Sequence, residues 1–153
     1  MTTSAMDMAV RLIRQCEGCR LAPYQDSAGI WTIGIGSIRM PDGSHVTDST
    51  PPITQDDADA MMMAELRPTA DRVDGMVTVP ITDGMRAALY SFAYNEGTGA
   101  LHGSTILRLL NTGDTDGAIA HFADWNMAGG RVVQGLANRR RLEASVAKGQ
   151  VVP

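Results

Sequence analysis

The segment of residues 17–37 constrains the fold of this chain most, because the sequence pattern changes there from helical to extended. Apolar residues upstream recur with a helical period, whereas the segment itself holds short β-branched runs separated by Gly29, Gly34 and Gly36. Glycines between such runs are typical of tight turns, since glycine adopts positive φ angles without steric cost. The pattern predicts an N-terminal helix followed by a small β-hairpin.

Glu17 is expected at the end of the N-terminal helix, on its apolar side. Ser4 is a candidate N-cap, with Asp7 three residues later as an acidic variant of the capping box. Desolvation and the negative end of the helix dipole would both favour the protonated carboxyl, which can act as a general acid. The alternative is an acid that pairs with an arginine and has no catalytic role. At about 100° per residue, the apolar side consists of Met6, Ala9, Val10 and Ile13.

Asp26 and Thr32 could complete a site for acid–base chemistry on a neutral, polar substrate. Asp26 lies in the turn sequence Q-D-S-A-G, where backbone amides donate hydrogen bonds to aspartate and favour its charged form. Glu17 and Asp26 would then differ in protonation, as the acid and the base of a carboxyl pair do. Taken alone, Asp26 is more readily interpreted as a plain turn aspartate, and Thr32 as an ordinary strand residue.

The composition predicts one soluble domain over residues 1–153. The apolar fraction of 44% and the charged fraction of 20% are ordinary for globular proteins. The net charge is −4, and a single short basic run at residues 139–141 argues against nucleic-acid binding. No apolar run is long enough for a membrane span, and the N-terminus lacks the pattern of a secretory signal.

Cys16 and Cys19 flank Glu17 in the sequence C-E-G-C. A redox motif would follow a strand, and a metal site would need two more ligands, which three scattered histidines do not supply. We therefore expect small core thiols and no metal. The alternative is a redox effect on the neighbouring acid.

The rest of the chain is predicted to form helices joined by polar loops. Residues 38–52 should form an extended loop or a short extra hairpin at the rim of a cleft. A long helix should begin after Thr54, and Pro68 should break or kink it. Thr82 should cap an apolar, central helix. Shorter helices are expected at 105–111, 116–125 and 136–148, the first two capped by Ser104 and Thr115, with a loop at Gly129 and Gly130.

The spacing of these positions resembles the signature of phage-type lysozymes, glycoside hydrolase family 24. The signature E-G-x-x-L-x-x-Y-x-D-x-x-G-x-x-T-x-G-x-G is matched throughout residues 17–36. Segments at 88–95 (A-L-x-S-F-A-Y-N), 104–108 (S-T-I-L-R) and 128–140 (A-G-G-x-V-x-x-G-L-x-N-R-R) are similar to further family segments, so that the resemblance covers nearly all of the chain. The matched positions are Glu17, Gly18, Leu21, Tyr24, Asp26, Gly29, Thr32, Gly34 and Gly36.

The resemblance implies a lysozyme-like α+β fold that is mostly α-helical. A small β-hairpin lobe, about residues 18–53, would be joined by a long helix to a helical lobe of about residues 75–153 plus the N-terminal helix. The active cleft would lie between the lobes. The protein would be a monomer without cofactor.

The resemblance also implies the chemistry: hydrolysis of the β-1,4 bond between N-acetylmuramic acid and N-acetylglucosamine in peptidoglycan. Glu17 would protonate the leaving oxygen, and Asp26, helped by Thr32, would activate a water in an inverting reaction. The partner would be peptidoglycan glycan strands. The enzyme would be made in the host cytoplasm without a signal peptide, and a separate holin-like factor would deliver it to the wall.

Four other positions follow from the same resemblance. Ile38, Tyr94 and Thr105 align with sugar-contacting positions, and Arg139 occupies the place of an arginine that approaches the catalytic glutamate. Ser37 departs from the family, in which a histidine is common at this position. We keep two alternatives: a peptidoglycan-binding protein of lysozyme fold without turnover, and a lytic transglycosylase, which needs a glutamate but no water-activating partner.

Overall fold

The N-terminal helix α1 (Ala5–Glu17) positions the first candidate residue at its own C-terminus. The computed structural model describes residues 3–153. Ser4 caps α1 by accepting a hydrogen bond from the Asp7 backbone amide, as predicted. Gly18, at φ 79°, ends the helix. The predicted apolar side is buried at Met6, Ala9, Val10 and Ile13.

An antiparallel hairpin follows, formed by β1 (Arg20–Gln25) and β2 (Trp31–Gly34). Thr32 pairs with Tyr24, and the register shifts between Arg20 and Tyr24. The chain then continues through further turns, held by isolated bridges between Ile33 and Ser37 and between Arg39 and His45. The prediction of an extended loop or short extra hairpin over 38–52 is confirmed.

The long helix α2 (Gln55–Met76) connects the hairpin region to the remaining helices. Thr54 and Asp57 form a reciprocal capping box at its start, as predicted. Pro68 does not break α2, which continues for two further turns beyond it, and the kink that was the other expectation stays a prediction. Pro68 is exposed, so the backbone carbonyl that its missing N–H leaves without a helical partner can bond to water.

Helix α3 (Asp83–Glu96) lies at the centre and packs against α1, α2 and α7. At Gly84 an added Cβ would lie 2.5 Å from the Val146 carbonyl oxygen, so the approach of α3 to α7 requires a glycine. The later elements are α4 (Thr98–His102), α5 (Thr105–Asn111), α6 (Thr115–Ala120), a 3₁₀ turn (His121–Asp124), the two-residue strands β3 (Met127–Ala128) and β4 (Arg131–Val132), and α7 (Gln134–Ala147).

The main core surrounds α3. The Phe92 ring makes edge contacts with Phe122 and Trp125, at centroid distances of 5.7 and 5.2 Å. A smaller cluster of Ile33, Val46 and Met61 holds the hairpin region against α2. The predicted fold class, α+β and mostly α-helical, is confirmed, while the residue limits of the two lobes stay a prediction.

Local signals placed most helix ends correctly, but the segment between α3 and α7 differs in detail from the prediction. Asp114, not Thr115, caps α6, and the helix changes to a 3₁₀ turn after Ala120, so the predicted helix at 116–125 is shorter. Helix α4 was not predicted, and the predicted loop at Gly129 and Gly130 is the turn of the small β3–β4 hairpin. Within residues 3–153, no helix is both long and apolar enough to cross a membrane.

We expect Pro68→Ala to stabilise the protein, because alanine restores an N–H in the middle of α2. The free energy of unfolding should rise by about 1–3 kcal/mol. The rise is at the lower end of this range if the variant also loses the restriction that proline places on the unfolded chain. Urea denaturation followed by circular dichroism measures this value.

Thr54→Ala is the control in the same helix. It removes the capping side chain, and the free energy of unfolding should fall by about 1 kcal/mol. A destabilised Pro68→Ala variant would contradict this expectation and would show that the packing of α2 against its neighbours depends on the backbone geometry that proline imposes.

Candidate active site

Glu17 is the last residue of α1, and its carboxylate meets Arg139 of α7. Arg139 NH1 donates a 2.9 Å hydrogen bond to Glu17 Oε1. The Glu17 side chain is 33% exposed and Arg139 only 6% exposed, so the acid lies at the edge of the core. The predicted pairing with Arg139 is confirmed. Glu17 continues the apolar side of α1, while solvent reaches one side of its carboxylate because the helix ends there.

Three groups beside Glu17 hold the guanidinium of Arg139. Its NH2 donates to the backbone carbonyl of Ser91 at 3.3 Å and to the Ser91 hydroxyl at 3.2 Å. Its Nε lies 3.5 Å from Glu143 Oε2, an ion-pair contact without a hydrogen bond. The Ser91 hydroxyl in turn donates a 2.5 Å hydrogen bond to Glu143 Oε2. Arg139 is thereby fixed from α1, α3 and its own helix.

Glu143 is fully buried and faces a second arginine. Arg140 Nε lies 2.9 Å from Glu143 Oε1, and its NH1 lies 3.5 Å from Glu96 Oε1. Burial raises the pKa of Glu143 above its ordinary value, opposed by Arg140, Ser91 and Arg139. Burial likewise lowers the pKa of Arg140. Arg139, Arg140, Glu143 and Ser91 therefore form a buried polar network that ends at Glu17.

Asp26 and Thr32 lie on the hairpin and meet at one carbonyl group. Asp26 Oδ1 accepts 2.9 Å hydrogen bonds from the amides of Ala28 and Ile30, which confirms the predicted turn geometry. The Asp26 amide and the Thr32 hydroxyl both donate to the Ile30 carbonyl oxygen, each at 2.9 Å. Thr32 is 3% exposed. The turn thus fixes both side chains relative to each other.

Gly36, which follows β2, and Tyr94, on α3, both lie near Glu17. A Cβ added at Gly36, whose φ is 87°, would lie 3.8 Å from Glu17 Oε2, so the backbone at Gly36 passes close to that oxygen. Burial raises the pKa of Tyr94 to about 12, with the charges of Glu17 and then Glu65 adding to the shift and Arg139 opposing it. Tyr94, one of the predicted sugar-contacting residues, therefore lies beside Glu17.

The other two predicted sugar-contacting residues have different surroundings. Ile38 is 43% exposed and lines a cavity of about 730 Å³ between the loop after β2 and helix α2, where Met61 and Glu65 form part of the opposite wall. Thr105 is the half-buried first residue of α5, and no hydrogen bond within residues 3–153 links its side chain to this site. Ile38 thus lines a cavity together with Glu65, and the sugar-contacting roles of Ile38, Tyr94 and Thr105 stay predictions.

Cys16 and Cys19 are free, half-buried thiols packed against the main core, as predicted. Burial raises the pKa of Cys16, with the charge of Arg139 opposing this. Cys16 also lines a second cavity, of about 480 Å³, that Arg139 and Asn95 border from the other side. In the part of the chain that the structure describes, no three histidine, cysteine or acidic side chains are grouped as metal ligands.

Ser37 takes the place of the family histidine. Its side chain is 1% exposed, and its hydroxyl has no hydrogen-bond partner among residues 3–153. Its backbone pairs with Ile33 in both directions, at 2.8 and 2.9 Å. The segment after β2 is therefore held by backbone bonds and apolar packing at this point.

Ser91, Glu143 and the burial of Arg140 were not predicted from the sequence. One signal was present: residues 139, 140 and 143 lie three or four positions apart on a predicted helix, where an acid and a base pair readily. The apolar surroundings of Ser91 in the central helix were a second signal, because a buried hydroxyl needs a partner.

Comparison with known proteins identifies the family of the chain. Residues 14–143 match the sequence model of the family described as phage lysozyme. The endolysin of Bacillus phage PZA is 37% identical over 139 residues, which are 90% of this chain and 52% of that protein. The chain thus spans about half the length of this relative.

Two solved structures are similar over nearly their whole length. The endolysin from Escherichia coli O157:H7 phage FAHEc1 has a TM-score of 0.85 and 34% identity, covering 100% of this chain and 97% of that one. The muramidase domain of SpmX from Asticaccaulis excentricus has a TM-score of 0.71 and 32% identity, covering 90% and 92%. The chain therefore belongs to the phage lysozyme family.

Proposed function

We propose that this protein is a muramidase that hydrolyses the β-1,4 bond between N-acetylmuramic acid and N-acetylglucosamine with inversion at the anomeric carbon. The observation that carries the proposal is the Glu17 carboxylate, held through Oε1 by Arg139 while Oε2 has no hydrogen-bond partner within residues 3–153. A held but incompletely bonded acid at the edge of the core can reach a substrate. The name of the SpmX domain, a muramidase, supports the same reaction.

Glu17 is the general acid in this proposal. Its proton passes to the glycosidic oxygen as the bond to the anomeric carbon breaks, so that the leaving sugar departs as an alcohol. The nearby positive charge of Arg139 stabilises the carboxylate that remains after the transfer. Gly36 lies beside the Oε2 oxygen of Glu17, and its φ of 87° is a backbone conformation that favours glycine.

Asp26 is the general base. Its Oδ1 is occupied by two backbone amides, whereas its Oδ2 has no hydrogen-bond partner in the described part of the chain. Oδ2 can therefore accept a proton from a water that attacks the opposite face of the sugar. The Thr32 hydroxyl donates to the Ile30 carbonyl, so its lone pairs stay available to accept a hydrogen bond from that water. An inverting reaction requires a separation of about 6.5–9.5 Å between the two carboxyl groups.

The cavity of about 730 Å³ beside Ile38 is the proposed glycan site. Its size is within the usual range for ligand sites, and apolar side chains such as Ile38 and Met61 suit the apolar faces of sugar rings. Glu65 lines this cavity, and the charges of Glu65 and Glu17 both raise the pKa of Tyr94. We propose peptidoglycan strands as the partner, a monomer as the active form, and delivery to the wall by a separate holin-like factor.

We expect Glu17→Gln to fold normally and to lose nearly all lytic activity. Glutamine keeps the size and polarity of the side chain but has no proton to transfer, and general acid catalysis contributes about 10²–10⁴-fold. Turbidity loss of outer-membrane-permeabilised cells, measured beside the wild type, gives the rate.

Asp116→Asn is the matched control, since it neutralises an exposed acid in the first turn of α6 that does not line the proposed glycan site. It should keep activity within a few-fold of the wild type. A Glu17→Gln variant as active as this control would disprove the acid role. A wild type that binds peptidoglycan without cleaving it would favour the non-catalytic alternative.

The stereochemistry of the product tests the roles of Asp26 and Thr32. If Asp26 acts as a base, water attacks directly and a β-linked substrate gives an α product in one step. Asp26→Asn should reduce turnover more than Thr32→Val, because it removes the base and not an orienting group. NMR of the new anomeric centre, recorded before mutarotation, measures the product.

An initial β product would mean retention and would overturn both assignments. A product with a 1,6-anhydro ring instead of a reducing end would identify a lytic transglycosylase. Far-ultraviolet circular dichroism of Thr32→Val is the control for an intact hairpin, since valine retains the β-branched shape.

A further inference from the structure

Arg139 gives Glu17 a single hydrogen bond, although a guanidinium can bind a carboxylate with two parallel ones. NH1 donates to Oε1 at 2.9 Å, while NH2 is turned towards the carbonyl and hydroxyl of Ser91, at 3.3 and 3.2 Å. This turn keeps NH2 from forming the second bond to Glu17. The contact is monodentate, and Glu17 Oε2 stays open.

Ser91 and Glu143 hold the guanidinium in this orientation. Both are fully buried, and the Ser91 hydroxyl joins them by donating to Glu143 Oε2 at 2.5 Å. The same Glu143 oxygen lies 3.5 Å from Arg139 Nε. Close-packed side chains have few alternative rotamers, so residues of α3 and α7 set the orientation of Arg139. Because NH2 is bonded to Ser91, NH1 is the group that donates to Glu17.

We propose that Ser91 and Glu143 are positioning residues that restrict Arg139 to one hydrogen bond with Glu17 and offset part of its positive charge. This inference rests on the proposed function, because it concerns Glu17 as an acid. A bidentate Arg139 would hold Glu17 as a carboxylate with no proton to transfer. The monodentate contact fixes Oε1 and leaves Oε2 free to carry the proton.

Two titratable neighbours of Glu17 on α1 and α3 add no charge where a carboxyl titrates. Tyr94 faces it from α3, and Cys16 precedes it on α1. Burial raises the pKa of Tyr94 to about 12 and also raises the pKa of the Cys16 thiol. Both groups therefore stay neutral where a carboxyl titrates, and Arg139 is the charged group that is hydrogen-bonded to Glu17.

Glu143 divides its charge between two arginines. Its Oε1 lies 2.9 Å from Arg140 Nε, and Arg140 also reaches Asn95 and Glu96 at the end of α3. Cys16 lies near the same carboxylate from α1, and it adds charge there only when the thiol ionises. Without Glu143, less of the positive charge of Arg139 would be offset, which also favours the ionised form of Glu17.

The ionisation of Glu17 can be followed directly by carbon NMR of protein labelled with 13C at the glutamate side-chain carboxyl. The sequence holds four glutamates, so single substitutions assign every resonance. We expect Ser91→Ala and Glu143→Gln each to lower the titration midpoint of Glu17 by about one pH unit, the smaller end of the effect of a close opposite charge.

Turnover gives a second measurement. The alkaline limb of the pH–kcat profile should move to lower pH by the same interval in both variants, since Glu17 must be protonated to act. Above both midpoints, kcat should fall about tenfold for each pH unit by which the Glu17 midpoint moves, while KM stays unchanged. A purely structural role would lower activity without moving the limb.

Glu96→Gln is the matched control, because it removes a negative charge beside Arg140 but does not contact Arg139. It should leave the Glu17 midpoint unchanged. Ser91→Thr keeps the hydroxyl and should titrate like the wild type. If Glu143→Gln does not fold, Ser91→Ala decides alone.

A Glu17 midpoint that is unchanged or higher in Ser91→Ala overturns the positioning role, even if the enzyme is active. The NMR titration needs no substrate and is thus independent of the proposed function. A protein that fails to hydrolyse peptidoglycan but shows the expected shifts would overturn the proposed function and keep the monodentate arrangement.

Discussion

The burial of Arg140 between α3 and α7 is the interaction on which the site depends. Its guanidinium lies 4.9 Å from the centre of the Phe92 ring and contacts Glu143, Asn95 and Glu96. A charged side chain is almost never fully buried without such partners. Because these contacts fix how α7 is rotated against α3, they also fix the direction of the preceding residue. Arg139, about 100° further round the helix, is thereby directed to the end of α1.

Helix α1 and the hairpin supply the other half of the site, through interactions between residues that are close in sequence. A serine cap begins α1 and a glycine ends it, so the position of Glu17 follows from a few residues. Asp26 is held by amides of its own turn. These features could be predicted because the interactions that form them are close in sequence. The same holds for the capping box at Thr54 and for the burial of the apolar face of α1.

The rest could not be predicted, because it depends on contacts between distant segments. Ser91 and Glu143 are 52 residues apart, and nothing local in either segment indicates that they meet. The sequence around Arg140 shows only a short basic run, whereas tertiary packing buries this side chain. The continuity of α2 through Pro68 has a similar origin, since neighbouring helices hold the chain where its own propensity favours a break. For Glu17, periodicity indicated the right face but not the exposure that a helix end brings.

The energetics of the buried network favour a role in orientation over one in stability. Removing charges from water costs several kcal/mol per ion, and their attraction only roughly offsets this, so apolar residues of similar volume often stabilise a protein as well or better. Phe92 and Phe122 show that α3 already has an apolar core to pack against. Apolar residues at positions 139 and 143 would not supply a fixed cation that directs one N–H at Glu17. The network therefore suits a general acid, because it fixes the position of Glu17 without stabilising its carboxylate through two hydrogen bonds.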